Sequence, residues 1–143
     1  MPDDVDILLV DDNAADVELT VRALREHHPT QSIGIASDGA QALEALFSLE
    51  RPPKVVFLDL KMPKVDGIEV LRAMRSNART RVVPVVILTS SKEQRDIIEG
   101  YRLGVNAFVQ KPMDFDEFRR AIEKLGAFWL GINQPPPRSS QPA

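Results

Sequence analysis

The sequence predicts an α/β fold, a parallel five-stranded sheet with helices on both faces, and three observations predict it. Short β-rich runs alternate with amphipathic stretches five times along the 143 residues, the pattern of strands joined by crossover helices. The run Val55 to Leu58 is apolar without interruption, as strands covered on both faces are. Charged or hydroxyl residues follow directly on these runs, and open parallel sheets bind ligands beyond the carboxyl ends of their strands.

The first strand is expected in "VDILLV", residues 5–10, followed by a helix in which Val17, Val21 and Leu24 recur at helical spacing. The second strand is expected in "SIGIA", residues 32–36. Asp38-Gly39 then turns the chain into a helix carrying Ala42, Leu43, Leu46 and Leu49, ended by Pro52-Pro53. "KVVFL", residues 54–58, leads to a third helix opened by Asp66-Gly67 and carrying Ile68, Leu71 and Met74. "VVPVVIL", residues 82–88, leads to a fourth with Ile97, Tyr101 and Leu103, and Gly104 suits its C-terminal cap. "NAFVQ", residues 106–110, leads to the last, with Phe115, Phe118, Ile122 and Leu125. The crossovers are expected to be right-handed. We expect one domain over residues 1–132 and a disordered Pro/Ser-rich tail, "NQPPPRSSQPA", over residues 133–143.

Composition excludes several functions. The formal charge of -3 and pI near 5.4 provide no basic field, so no nucleic-acid partner is expected. With no cysteine, disulfides, zinc thiolates and thiol nucleophiles are excluded. The N-terminus lacks a signal peptide, and no run approaches the roughly 20 apolar residues of a membrane span, so a cytoplasmic protein with no membrane association is expected. No Gly-rich loop of the nucleotide-hydrolase type is present. His27 and His28 precede Pro29 without a third ligand and read as a solvated helix end.

The strand ends carry the chemistry. The first delivers Asp11, Asp12 and Asn13, the third Asp59, the fourth Thr89, Ser90 and Ser91, and the fifth Lys111 before Pro112. Taken singly, Asp12, Asn13 and Thr89 to Ser91 suit helix caps, Asp59 suits a turn, and Lys111 suits solvent. Together, three converging carboxylates repel one another unless a cation sits among them, and hard oxygen ligands with open positions suit Mg²⁺ beside a phosphate. A hydroxyl and an ammonium next to that cation complete a site for a phosphoryl group.

"LLVDDN", "VVFLDLKMPKVDG", "VVILTSS" and "AFVQKPMD" resemble, in order and spacing, the motifs of the receiver domain of two-component response regulators, over about Val5 to Leu125. The resemblance implies the flavodoxin-like strand order 2-1-3-4-5. It also implies that Asp59 is the phosphoacceptor, charged by a sensor histidine kinase, that Asp12 and Asp59 bind Mg²⁺ directly, Asp11 through water, and Lys61 through its backbone carbonyl. Thr89 would hydrogen-bond the phosphoryl group, Lys111 would pair with it, and Phe108 would be the aromatic that turns inward when Thr89 moves. A cis Lys111-Pro112 bond is implied as well. Lys61 and Ser91 stand at the two positions that tune phosphate lifetime, and neither suits orienting a water, so slow self-dephosphorylation is expected.

Two other readings compete. An aspartyl-nucleophile phosphatase of the haloacid-dehalogenase type would place a second Asp where this chain has Lys61. A degenerate receiver would act only as an interaction module, although nothing the chemistry needs is missing.

After Lys111 only 32 residues remain, too few for an output domain, so a stand-alone receiver is expected. "AFWLGI", Ala127 to Ile132, extends the apolar sequence past the last helix with the single tryptophan, Trp129. It either folds back on the domain or forms a self-complementary patch. Single-domain regulators paired with bacteriophytochrome-type kinases are similar in having a long last helix with terminal aromatics. That likeness implies a homodimer built on Ile97, Tyr101, Phe128 and Trp129.

Overall fold

A computed structural model describes residues 4–138. The chain runs β1 (Ile7–Val10), α1 (Ala14–His27), β2 (Ile33–Ala36), α2 (Gly39–Ser48), β3 (Val55–Leu58), α3 (Gly67–Arg75), β4 (Val85–Thr89), α4 (Gln94–Arg102), β5 (Ala107–Gln110) and α5 (Phe115–Gly126), then a π-helical segment (Ala127–Ile132). All pairings are parallel, in the order β2-β1-β3-β4-β5.

Successive strand side chains point to opposite faces of the sheet, so each strand feeds two cores. Leu8, Val10, Val56, Leu58 and Ile87 pack with Ala42, Leu46, Leu71 and Met74 under α2 and α3. Ile7, Leu9, Phe57, Val86 and Leu88 pack with Leu24, Phe118 and Ile122 under α1 and α5. Four helices open on side-chain caps: Asn13, Asp38, Asp66 and Asp114 accept from the backbone N–H of Asp16, Gln41, Glu69 and Asp116. Helix α4 has no such cap, and its one buried residue is Gly100. It is held more lightly than its neighbours, as elements that move usually are.

Some sequence expectations need correction. The fourth strand starts at Val85, because Pro84 cannot donate to a ladder, and Val82 lies 56 % exposed. Phe115 opens α5 before its inward stripe reaches the sheet and is 67 % exposed. The Lys111-Pro112 bond is trans, since no described bond is cis; trans is the isomer X-Pro bonds favour by about 0.5–1 kcal/mol. The strained backbone beside the strand ends is at Lys64 instead, with φ 66°. Its loop is wedged between two glycines. A Cβ on Gly39 would lie 1.9 Å from the Val65 carbonyl oxygen, and one on Gly67 2.3 Å from the Asp59 carbonyl oxygen.

The segment expected to be disordered begins at Asn133, and residues 133–138 form neither helix nor strand. Arg138 is nevertheless anchored. Its guanidinium donates to the carbonyls of Pro52 (2.8 Å) and Val5 (2.9 Å) and pairs with Asp6 (3.0 Å) and Asp4 (3.0 Å). The rest of the expected tail, residues 139–143, lies outside the described residues. Arg138→Ala should lower unfolding free energy by about 1–3 kcal/mol, the scale of charge-assisted hydrogen bonds. Urea unfolding checks this, and no change in phosphoryl uptake should accompany it.

Candidate functional site

Register brings the site together. Val10 pairs with Leu58, so Asp11 and Asp59 leave adjacent strands side by side, with the Asp59 N–H donating to the Val10 carbonyl at 2.9 Å. Thr89 ends β4 opposite Gln110, and the Lys111 N–H donates to the Thr89 carbonyl at 2.7 Å. The chain goes from β1 outward to β2 but inward to β3, so Asp11 and Asp59 mark where the sheet's winding reverses.

At that point Asp11, Asp12 and Asp59 place one carboxylate oxygen each within 4.8 Å of the others. Asp59 is buried, Asp11 partly buried and Asp12 exposed. Two unit charges at 4.8 Å repel by about 3–4 kcal/mol at an effective dielectric of about 20. Asp59 Oδ1 is buried with no hydrogen-bond partner. An orphaned buried oxygen on one of three clustered carboxylates fits a hard divalent cation that keeps waters in its remaining positions.

The cation that does reach the cluster is Lys111, whose ammonium is almost wholly buried. Nζ donates to Asp11 at 2.7 Å, Asp16 at 2.9 Å and Asp59 at 3.3 Å. Burial works against its charge, yet the hydrogen bonds to Asp11 and Asp16 and the charge of Asp59 outweigh it and push the pKa well above 10.5. For Asp11, burial outweighs Lys111 and the Asn13 amide, and its pKa rises above 3.8. For Asp11, a share of one ammonium does not make up for the water it has lost.

The remaining expected residues make contacts of their own. Thr89 is fully buried, and its Oγ1 accepts the Ser91 N–H at 3.3 Å. Phe108 packs partly buried against the core, beside Gly100 of α4, where an added Cβ would lie 3.5 Å from its ring. The Lys61 side chain leaves the site: Nζ lies 3.3 Å from Asp96 of α4, which also accepts the Ser91 hydroxyl at 2.6 Å. Burial works to raise the Asp96 pKa, but Ser91 and Lys61 hold it below 3.8.

Asp16 and Asp96 were missed in the sequence because each reads as an ordinary acid in a helix's first turn. The one usable signal was distance. Asp16 follows Asp11 by five residues and Asp96 follows Ser91 by five, close enough to fold back onto a strand end.

The expected interface residues divide. Trp129 packs partly buried against the α1/α5 core and meets Phe128 edge-on, with ring centroids 4.9 Å apart. Phe128 is 43 % exposed and Tyr101 54 %, while Ile97 is half-buried. Ile98, not singled out from the sequence, is 51 % exposed, one turn before Tyr101. Among the described residues no helix is long and apolar enough to cross a membrane.

Comparison with known proteins gives the same picture. The sequence model of the "Response regulator receiver domain" matches residues 7–123. A probable methanogenesis regulatory protein FilR2 of Methanothrix harundinacea is 40% identical over 134 residues, 91% of this chain and 86% of its own. The phosphorylated cyanobacterial phytochrome response regulator RcpA superposes with a TM-score of 0.87 at 31% identity, over 92% of this chain and 97% of its own. The bacteriophytochrome response regulator AtBRR does so with a TM-score of 0.68 at 45% identity, over 92% and 99%.

Proposed function

The chain belongs to the response regulator receiver domain family, and from that premise we propose that Asp59 is its phosphoacceptor, with Asp11 and Asp12 completing a Mg²⁺ site. At the family's level it is a phosphoacceptor signalling protein of a two-component system, not a catalytic enzyme, with a histidine kinase as partner and a divalent metal at its site. The observation that carries the assignment is the Asp59 carboxylate: Oδ1 is buried and unpartnered, Oδ2 meets Lys111, and the group stands beside the carboxylates of Asp11 and Asp12.

In this reading one oxygen of the Asp59 carboxylate attacks phosphorus in line. The new O–P bond forms as the P–N bond to the kinase's phosphohistidine breaks, and the imidazole nitrogen leaves with the electron pair. Lys111 meets the charge on the phosphoryl oxygens, and the Thr89 hydroxyl donates to one of them. Asp12, Asp59 and the Lys61 carbonyl, with Asp11 through water, would hold Mg²⁺, which would supply further charge neutralisation. Thr89 adjoins Ser91, Ser91 holds Asp96, and Phe108 adjoins Gly100, so both routes out of the site lead to the lightly held α4. The expected product with Mg²⁺ and a small acyl phosphate is one phosphoryl group per chain, read by intact mass; none would overturn the assignment. A phosphatase or a degenerate receiver is not favoured, because Lys61 supplies no second acid and every phosphoacceptor residue is in place.

Slow self-dephosphorylation is part of this proposal. Asp96 holds both Lys61 and Ser91, so neither side chain is available to orient an attacking water. We expect a phosphate lasting well beyond seconds, and Lys61→Asn to shorten its lifetime roughly tenfold by positioning that water. Loss of label within seconds, unchanged by Lys61 substitutions, would contradict this.

The kinase proposed is of the bacteriophytochrome type, supported by the likeness to AtBRR and RcpA, in a cytoplasmic setting. The proposed switch partner is a second copy, through Ile97, Tyr101, Phe128 and Trp129. The exposed Tyr101 and Phe128 support the outer part of that set, while Trp129 braces Phe128 from within. Light scattering at high concentration should give two chains, and Phe128→Ser should weaken association by about 30-fold, the scale of one aromatic hot spot. A mass of one chain in both phosphorylation states would sink it.

A further inference from the structure

Lys111 has three ammonium hydrogens and three carboxylate partners, but those partners are not alike. Asp11 and Asp59 belong to the acidic trio that can hold a metal, and Asp59 is also the proposed acceptor. A divalent cation and a phosphoryl group would draw both away from Nζ. Asp16 stands outside the trio and loses nothing to either event.

Asp16 is also the partner whose position is built in. It lies in the first turn of α1, where its N–H donates to the Asn13 side-chain cap at 3.0 Å and its carbonyl accepts the Thr20 hydroxyl at 2.7 Å. Its carboxylate reaches 2.9 Å across to the start of the β5–α5 connection, 95 residues away in sequence. A buried ammonium stripped of its partners costs several kcal/mol, and a nearby dication adds repulsion. A carboxylate fixed by a helix removes that cost without taking part in the chemistry.

We propose that Asp16 is the positioning carboxylate of Lys111, keeping the ammonium aimed at the phosphoryl site when Asp11 and Asp59 turn to the metal and the phosphoryl group. The inference rests on Asp59 as acceptor. It also means that Lys111 need not travel on activation: it exchanges two partners and keeps the third.

The test uses Mg²⁺ titration by calorimetry and the Lys111 ammonium signal in nitrogen-15 correlation spectra. Asp16→Asn should weaken Mg²⁺ binding about tenfold, within the range of couplings between contacting charged residues. Asp16→Glu should stay within about threefold of the unsubstituted chain, and in a Lys111→Met background Asp16→Asn should shift affinity by about twofold or less. In Asp16→Asn the ammonium signal should persist without metal, held by Asp11 and Asp59, and vanish on loading with Mg²⁺ alone, which draws on both carboxylates and supplies no phosphoryl oxygen. The unsubstituted chain should keep it in both states. A signal that survives loading in Asp16→Asn, or an equal loss of affinity with and without Lys111, overturns the inference while leaving the acceptor assignment standing. Failure of the unsubstituted chain to bind Mg²⁺ and beryllium fluoride overturns both.

Discussion

Asp59→Asn should take up no phosphoryl group from a small acyl phosphate and Mg²⁺ under conditions in which the unsubstituted chain takes up one, as read by intact mass. The amide has nearly the shape of the carboxylate, so the strand end keeps its packing, but an amide oxygen is a poor nucleophile toward phosphorus. The fold should not suffer. Asp59 lies within 4.8 Å of two other carboxylates and is the most distant of Lys111's three partners, at 3.3 Å. Removing its charge relieves more repulsion than it forfeits attraction, so metal-free stability should rise by on the order of 1 kcal/mol. Added Mg²⁺ should stabilise the variant less than the unsubstituted chain, since one ligand has lost its charge. A phosphoryl group found on Asp59→Asn would move the acceptor to Asp11 or Asp12.

Lys111→Met should cost about 100-fold or more in the rate of phosphoryl uptake, the scale seen when one preorganised donor to a developing charge is removed. It should also destabilise the metal-free protein at neutral pH by about 3–5 kcal/mol, because Asp11, Asp16 and Asp59 are left facing one another without their shared cation. The sign of the pH dependence follows. Without the ammonium, the folded-state pKa of Asp11, already above 3.8 through burial, goes further up. The folded chain then holds protons that the unfolded chain gives up, so the variant should regain stability as pH falls from 7 toward the carboxylate range. In the unsubstituted protein, Lys111's folded pKa is raised, so its stabilisation is complete below pH 10.5 and lost only at higher pH. Chemical unfolding across pH measures both. Mg²⁺ should restore the variant's stability at neutral pH, since a dication takes the place the ammonium left. Equal stability of the two proteins in metal-free buffer would mean that the carboxylates are already neutral there.

Strand ends were legible because their signal is local. A four-residue apolar run such as Val55 to Leu58 has one reading in an alternating chain, and whatever follows it emerges at the sheet's carboxyl edge. Caps were legible for the same reason: Asn13, Asp38 and Asp66 stand just before their helices with acceptors of the right length. Boundaries were less so. Phe115 fits the spacing of the last helix's core stripe, yet a helix's first residue can lie beyond the surface its stripe covers.

The sequence by itself determined the parallel α/β architecture, the five strand ends, and that Asp11, Asp12, Asp59, Thr89 and Lys111 stand at them, since side-chain periodicity and turn chemistry act over a few residues. Only the tertiary structure decided which carboxylates share Lys111, that Asp96 gathers Lys61 and Ser91, and that Arg138 returns to Asp4 and Asp6. It also decided which aromatics remain on the surface. These contacts depend on how each helix is docked and rotated against the sheet. That is set by packing between segments far apart in the chain, 134 residues for Arg138 and Asp4, and local spacing does not carry it.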